Sequence, residues 1–228
     1  MTNSQEAATT TSTSIHAHHG EAQPALVLVN LGTPTAPEPG PVRAFLREFL
    51  SDRRVIEMSP LLWKPILEGI ILRVRPREVA GKYRSIWMDE GSPLMHYTRE
   101  QARLLGERLP GARVEVAMRY GQPSIGSVLD RLYAEGVRRV AILPAYPQYA
   151  ASTVTSINDA VAQWIGRNRD GFELRLHRSF PAAPAYIEAL ASALERHWER
   201  VGRPNFLTGD RVVVSFHSIP VAMDEAGD

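Results

Sequence analysis

The strongest constraint on the fold is a regular alternation of short apolar runs with segments whose apolar residues recur at helical spacing. The apolar runs predict buried strands at 25–31, 114–118, 140–143, 172–176 and 212–216. Between them, helical periodicity predicts helices near 42–50, 98–109, 124–136, 152–165 and 184–200. Strands that alternate with helices favour a parallel sheet covered by helices, so the sequence predicts an α/β, doubly wound fold.

Local signals mark some of the helix ends. The segment Thr98-Arg-Glu-Gln101 has the pattern of a capping box and predicts a helix that begins there, with Leu104, Leu105 and Leu109 directed inward. Ser124 is typical of a helix N-cap, and Gly136 is typical of a helix end.

Charge and composition exclude several classes of protein. The formal net charge of +1, without a dense basic tract, argues against nucleic acid as a partner. The chain has no cysteine, which excludes disulfides, a thiolate nucleophile and a cysteine-ligated metal, and is typical of a reducing compartment. No secretory signal or transmembrane run is recognisable, so we expect a cytoplasmic location. Residues 1–23 are rich in Thr, Ser and Ala and are expected to be disordered.

One segment, 60–77, is apolar nearly all round before it turns basic at Arg73, Arg75 and Arg77. It either packs inside the domain or forms an exposed apolar lip that meets a hydrophobic ligand or a membrane surface. Guanidinium groups bind carboxylates well, so Arg75 is a candidate contact for a ligand held by this lip.

The residues that follow the predicted strands carry the functional signal. In a doubly wound sheet, the carboxyl ends of the strands share one edge, where ligands bind. This places together the residues that we consider candidates for binding: Leu31, Arg119, Tyr120, Tyr146, Tyr149, Ser152, Thr153 and His217. Aromatic rings, hydroxyls, one arginine and one imidazole suit a large, flat, mostly apolar ligand with a few acidic groups.

Each candidate also has an ordinary structural role. The tyrosines can pack at the edge of the core, Ser152 and Thr153 can cap a helix, and Arg119 can pair with a nearby carboxylate. A histidine after a strand is more often hydrogen-bonded than catalytic. A serine hydrolase is excluded because no nucleophile elbow is present, and a zinc site is excluded because the ligands lack paired spacing.

Taken together, six motifs resemble those of the ferrochelatases in order and approximate spacing. They are Leu28-Val-Asn-Leu-Gly-Thr-Pro34, Phe49-Leu-Ser-Asp-Arg-Arg54, Gly91-Ser-Pro-Leu94, Met118-Arg-Tyr-Gly121, Leu143-Pro-Ala-Tyr-Pro-Gln-Tyr149 with Ser152-Thr-Val154, and Ser215-Phe-His-Ser-Ile-Pro220. The resemblance covers residues 24–228 and implies insertion of Fe²⁺ into protoporphyrin IX to form haem, in a cleft between two Rossmann-like lobes. It implies a complete first lobe at 24–170 and the beginning of a second lobe at 171–228.

The resemblance also implies roles for individual residues. His217 would be the site histidine, as an iron ligand or a proton acceptor, while Leu31, Arg119, Tyr120 and Tyr149 would line the porphyrin pocket. Fe²⁺ would be a substrate, with no tightly bound cofactor expected, and the segment 60–77 would be the hydrophobic lip, in peripheral contact with a membrane.

One departure from the family pattern affects the expected activity. Ferrochelatases use a glutamate in their C-terminal part, and this chain ends before such a residue occurs, so we expect a truncated chain that inserts metal slowly or not at all. Three alternatives stay open: a chelatase for coproporphyrin or cobalt, a non-catalytic porphyrin- or haem-binding fragment, and an α/β domain for a small phosphorylated ligand.

Overall fold

One parallel sheet organises the protein in the computed structural model, which describes residues 22–228. Its strands are β1 (Ala25–Gly32), β2 (Arg113–Tyr120), β3 (Arg139–Pro144) and β4 (Glu173–Leu176), in the order β2-β1-β3-β4. The α/β class and four of the five predicted strands are therefore confirmed. The predicted disordered tail lies outside the described residues, apart from its last two positions.

Helices fill the connections from β1 to β4, and two further helices follow β4. They are α1 (Pro39–Leu50), α2 (Pro60–Ile66), α3 (Leu72–Ile86), α4 (Pro93–Arg108), α5 (Ile125–Ala134), α6 (Ser156–Arg167), α7 (Pro184–Val201) and α8 (Val221–Glu225). A π-helical turn at Leu67–Ile71 joins α2 to α3, another at Ala151–Thr155 leads into α6, and a short 3₁₀ turn occupies Phe206–Thr208.

The main core lies between the sheet and the helices α5 and α6. Side chains alternate between the two faces of a strand, so Val27 and Val29 point to the same side, where both are fully buried. Helix α5 begins at its predicted cap, since the Ser124 side chain accepts a hydrogen bond from the Ser127 backbone N–H. Trp164 of α6 is also fully buried and donates its indole N–H to Asp130 at 2.6 Å.

A second apolar cluster sits at the carboxyl end of β2, beneath α1 and α3. It contains the face of α1 that the sequence predicts to be buried, and its fully enclosed members are Val42, Phe45, Leu46, Leu67, Leu72, Ala80 and Tyr120. Phe49 packs its ring edge-on against Tyr120, with the centroids 5.3 Å apart. This cluster, which we call the α1–α3 cluster, therefore joins α1 and α3 to the end of β2, an edge strand of the sheet.

The other face of the sheet is covered less completely. Helix α4 packs on β1 and β2, while α7 has no buried residue. Between these helices, Leu28 and Leu143 of the sheet form the floor of an apolar groove of about 790 Å³. We refer to it as the α4–α7 groove.

The predicted start of the helix at Thr98 is wrong. Helix α4 begins at Pro93, after Ser92, and Thr98 lies inside it with 1% exposure. The Thr98 hydroxyl donates to the Leu94 carbonyl at 2.6 Å and accepts from the Asn30 side chain at 2.9 Å, so a contact with β1 uses the group that the local pattern assigned to capping. Leu104 and Leu109 are also less buried than predicted, at 37% and 39% exposure. Leu104 borders the open groove, and Leu109 lies just after the end of α4.

The predicted strand at 212–216 is also wrong. Residues 211–220 form no regular secondary structure, and Val213 and Val214 are 87% and 69% exposed. A β-branched run becomes a buried strand only when a neighbouring strand pairs with its backbone, and within the described residues the sheet ends at β4. Residues 212–216 have the sequence pattern of a buried strand, but no strand among the described residues pairs with them.

The carboxyl end of β1 depends on a glycine. Gly32 has φ +113° and is paired with Tyr120 across the β1–β2 ladder. A Cβ atom at this position would lie 1.9 Å from the Tyr120 carbonyl oxygen. Only glycine lets the two strands approach this closely, and it also adopts the positive φ without strain.

Replacing Gly32 by alanine should therefore destabilise the protein by at least about 3 kcal/mol, because strain and a backbone clash act together. Urea unfolding at neutral pH would measure the loss. Gly111→Ala is the matched control, since a Cβ there meets no atom within 4 Å and the backbone is not left-handed. Equal stability of the two variants would contradict this account.

Candidate functional site

The carboxyl ends of β1, β2 and β3 bring several predicted site residues to one edge of the sheet. Gly32 pairs with Tyr120 at the ends of β1 and β2, while Pro144 at the end of β3 pairs with Val29, so β3 ends three residues earlier at the same edge of the sheet. Leu31 packs partly buried against the α1–α3 cluster, and Tyr120 is 1% exposed within that cluster. Tyr146 follows β3 and packs against the main core.

A buried carboxylate ties this edge to two other segments. Asp52 follows α1, and its Oδ2 atom accepts hydrogen bonds from Arg119 Nη2 at 2.6 Å, from the Tyr120 hydroxyl at 2.8 Å and from the Ser156 hydroxyl at 2.5 Å. Its Oδ1 atom accepts from the Arg54 backbone N–H at 2.7 Å. We call these residues the Asp52 network.

Arg119 is held on a second side as well. Its Nε donates to the Ser156 hydroxyl at 2.6 Å and to the Ser156 carbonyl at 2.9 Å. The guanidinium also lies 4.6 Å from the centroid of the Tyr120 ring, close enough for a cation–π contact. The side chains of Arg119 and Asp52 are only 19% and 8% exposed, so solvent screens this pair weakly.

The electrostatics of the network favour an ionised Asp52. Burial by itself raises the pKa of Asp52, but hydrogen bonds from Ser156, the Arg54 backbone and Tyr120, together with the charge of Arg119, outweigh burial and leave the pKa below its ordinary value. The pKa of Tyr120 is raised well above its ordinary value, mainly by burial, so its hydroxyl is a hydrogen-bond donor at neutral pH.

Two hydroxyls at this edge are buried without a hydrogen-bond partner among residues 22–228. They belong to Thr33, just after β1, and to Tyr146, just after β3. Burial, with a smaller contribution from Tyr120, raises the pKa of Tyr146 well above its ordinary value, so its hydroxyl stays protonated. A ligand or a water molecule would satisfy both groups.

The segment after Tyr146 forms the adjoining wall. The Tyr149 hydroxyl is hydrogen-bonded to Thr155 at 2.7 Å, and the Arg178 guanidinium stacks on the Tyr149 ring, 3.8 Å from its centroid. Ser152 and Thr153 lie in the π-helical turn before α6, and the Thr153 hydroxyl donates to the Ala150 carbonyl at 3.0 Å. The Thr153 hydroxyl thus bonds within its own turn without capping it, and binding by Ser152 and Thr153 stays a prediction.

Two predicted residues lie apart from these contacts. Arg75 is exposed on α3, and within the described part of the chain no hydrogen bond or ion pair joins it to the Asp52 network. His217 is exposed in the irregular segment 211–220, and its Nδ1 atom lies 2.7 Å from the Ser218 carbonyl oxygen. A carbonyl only accepts, so Nδ1 carries the hydrogen and Nε2 keeps the free lone pair.

Sequence reasoning did not assign a role to Asp52 or to Ser156. The available signal was the motif Ser51-Asp-Arg-Arg54 directly after an amphipathic helix, where an aspartate predicts a turn in which its side chain accepts from the backbone two residues on. The partners of Asp52 are distant in the sequence, so the motif alone could not identify them.

A resident metal centre has no basis in the described residues. Across 22–228, no group of three or more histidine, aspartate or glutamate side chains is arranged to hold a metal ion.

The network predicts a specific dependence of stability on pH. Because the native pKa of Asp52 lies below its ordinary value, its carboxylate stabilises the fold above about pH 4, and this contribution is lost as the pH falls through the native pKa. Asp52→Asn should lower the free energy of unfolding by about 2–4 kcal/mol at pH 7. The difference from the wild type should shrink below pH 4.

Urea unfolding of both chains between pH 7 and pH 3 would measure this effect. Asp159→Asn is the matched control, because it breaks an ion pair with Arg54 in which both side chains are more than 40% exposed. A deficit that is the same at every pH for Asp52→Asn would contradict the role assigned to its charge.

Comparison with known proteins agrees with the motifs at this edge. The family model for ferrochelatase matches residues 23–228. Curated relatives include ferrochelatase of Methylibium petroleiphilum, 48% identical over 93% of this chain and 58% of its own length, and ferrochelatase of Azoarcus sp., 47% identical over 93% and 58%. Ferrochelatase 1 of Shewanella oneidensis is 46% identical over 89% of this chain and 61% of its own length, so the chain spans about three fifths of these relatives. With nearly every described residue inside the family match, the chain belongs to the ferrochelatase family.

Proposed function

We propose that this chain binds protoporphyrin IX at the carboxyl edge of its sheet and takes part in the insertion of Fe²⁺ to form haem. The observation that carries the proposal is the family match over residues 23–228. The geometry supports it, because aromatic and apolar side chains, one arginine and two unpaired buried hydroxyls meet at that edge. These groups suit a flat apolar ring with carboxylate substituents.

The reaction needs a proton acceptor and positioning. Insertion of Fe²⁺ releases two pyrrole N–H protons without transfer of electrons, so it requires no resident redox cofactor. In our proposal, His217 accepts a proton through Nε2, or holds the arriving ion there, since a neutral imidazole can do either near pH 7. Leu31, Tyr120, Tyr146 and Tyr149 contact the macrocycle.

Polar groups would orient the ring. We assign its carboxylates to Arg119 and Arg75, and we assign further hydrogen bonds to Ser152 and Thr153. Arg119 is already oriented by the Asp52 network, which favours it as the principal contact.

We also propose that residues 24–170 and 171–228 belong to different lobes of the complete family fold. In the described structure β4 lies beyond residue 170, yet it pairs with β3 in the same sheet. The proposed boundary therefore falls in the connection that precedes an edge strand. A cytoplasmic location is proposed on the absence of cysteine alone.

The α2–α3 segment is proposed as a peripheral membrane contact. Leu62, Ile66, Ile70 and Val74 recur at intervals of four residues and are between 38% and 68% exposed, and neighbouring Leu61 is 87% exposed. Exposed arginines follow on α3, as in helices that lie in an anionic membrane surface. No helix among the described residues is long and apolar enough to span a bilayer.

Titration with protoporphyrin IX tests the central proposal. The 228-residue chain should change the porphyrin fluorescence and absorption saturably, and anaerobic addition of Fe²⁺ should give metallated porphyrin slowly. His217→Ala should retain porphyrin affinity within several-fold while metallation falls below detection, because His217 serves the chemical step and not ring binding.

The alternatives predict different results. Binding without any metallated product would favour a non-catalytic porphyrin-binding chain, and faster turnover of coproporphyrin or cobalt would favour a different chelatase. Absence of porphyrin binding would contradict the proposed function, and equal metallation by the wild type and His217→Ala would contradict the role of His217.

Vesicle sedimentation tests the membrane contact. Leu61→Ser combined with Leu62→Ser should weaken binding to anionic vesicles at least about tenfold, because two large apolar side chains no longer enter the interface. Ile187→Ser with Leu190→Ser is the control, since these α7 residues are 50% and 51% exposed outside the lip. Equal loss in both double variants would argue for non-specific adsorption.

A further inference from the structure

The Asp52 network gives Asp52 a role that neither the motifs nor the family match assigns to it. We infer that Asp52 is a positioning residue: with Ser156 it fixes the Arg119 guanidinium so that the remaining N–H groups recognise a carboxylate of the ligand. The inference rests on the proposed function, because it concerns the substrate of the same site. It identifies a residue that acts on the ligand only through another side chain.

The hydrogen bonds divide the guanidinium into a held side and a free side. Nε donates to Ser156, and Nη2 donates to Asp52, while Nη1 makes no hydrogen bond or ion pair within residues 22–228. An arginine side chain has many rotamers, and two anchors on one side leave it few. A carboxylate that binds to the free side therefore meets a donor whose orientation is already set.

The anchors come from parts of the chain that are far apart in the sequence. Asp52 follows α1, Arg119 ends β2 and Ser156 begins α6, with separations of 67 residues between Asp52 and Arg119 and 37 between Arg119 and Ser156. Tyr120 donates to the same Asp52 oxygen, and Ser156 is fully buried. The position of the guanidinium is thus set by three segments that pack together: the loop after α1, the end of β2 and the start of α6.

The positioning role of Asp52 and its charge predict opposite changes in porphyrin affinity when Asp52 is replaced. Asp52 partly neutralises Arg119, so removing its charge makes the site more positive and, by charge alone, strengthens binding of an anionic porphyrin. Removing the anchor loosens the guanidinium and weakens binding of the same ligand. The direction of the change therefore separates the two roles.

The decisive variant is Asp52→Asn, which keeps the side-chain volume. An amide has one oxygen, so it cannot accept from both the Arg54 backbone N–H and the three donors that converge on Oδ2, and its bond to Arg119 is weaker than that of a carboxylate. We expect the affinity for protoporphyrin IX to fall roughly fivefold or more. The affinity for the uncharged dimethyl ester of the same porphyrin should not change.

Two further variants complete the test. Arg119→Ala should cause at least as large a loss, and combining it with Asp52→Asn should cause no further loss, because the two residues act through one contact. Ser156→Ala changes no charge and should also weaken binding of the diacid. Asp159→Asn, which removes a charge from an exposed pair with Arg54, should leave the affinity unchanged.

All titrations are made under conditions where near-ultraviolet circular dichroism shows each variant to be folded. Unchanged or tighter binding of the diacid by Asp52→Asn would overturn the inference while leaving the proposed function intact, and so would equal losses for the diacid and the ester. If the wild-type chain binds neither porphyrin, the proposed function itself fails, and this inference fails with it.

Discussion

The close approach of two backbones at Gly32 and Tyr120 determines where everything else at the sheet edge can lie. Because glycine has no Cβ, β1 and β2 can stay paired up to their last residues, and this pairing fixes the position of the residues that follow both strands. Tyr120 thereby packs into the α1–α3 cluster, and the side chain of Arg119, the preceding residue, reaches the same Asp52 carboxylate as Tyr120. The chemistry of this edge begins with a constraint on the main chain.

The carboxylate of Asp52 then links this end of the sheet to two other segments by hydrogen bonds and charge. Asp52 satisfies four donors and is itself satisfied by them, which is the condition under which a poorly solvated charge stabilises a fold. Neutralising Asp52 would leave several of these donors without a full hydrogen-bond partner. The network therefore couples the loop after α1, the end of β2 and the start of α6, and a change in any one of them is felt by the other two.

The parts of the fold that could be predicted from the sequence are those in which a local pattern meets a local partner. Val27, Val29 and the face of α5 show this, since a continuous apolar run and helical periodicity were enough to predict that these residues are buried. Val212–Val214 show the opposite case, because a strand pattern does not reveal whether a neighbouring strand is present. The contacts of Thr98 and Asp52 could not be predicted for a third reason. Thr98 bonds to Asn30 and Asp52 bonds to Tyr120, each 68 residues away, and no short pattern encodes such contacts.

The candidate site also has features that the sequence could predict and features that it could not. The carboxyl-edge rule brought Leu31, Tyr120 and Tyr146 together correctly, because parallel strands end on one side whatever their side chains are. The rule could not predict that Arg119 would be anchored on one side and open on the other. That property depends on α6, whose approach to β2 is a matter of tertiary packing.

The π-helical turn between α2 and α3 has a consequence for how this region can vary in length. Leu67 and Leu72 are both buried although they are five residues apart, a spacing that a regular α-helix would place on different sides. The extra residue in the turn lets one nearly continuous helix bury these two leucines and still present its apolar stripe outward. Deleting one residue here would turn everything that follows in α3 by about 100° around the helix axis and misalign its buried residues, so this stretch should tolerate many substitutions but no change in its length.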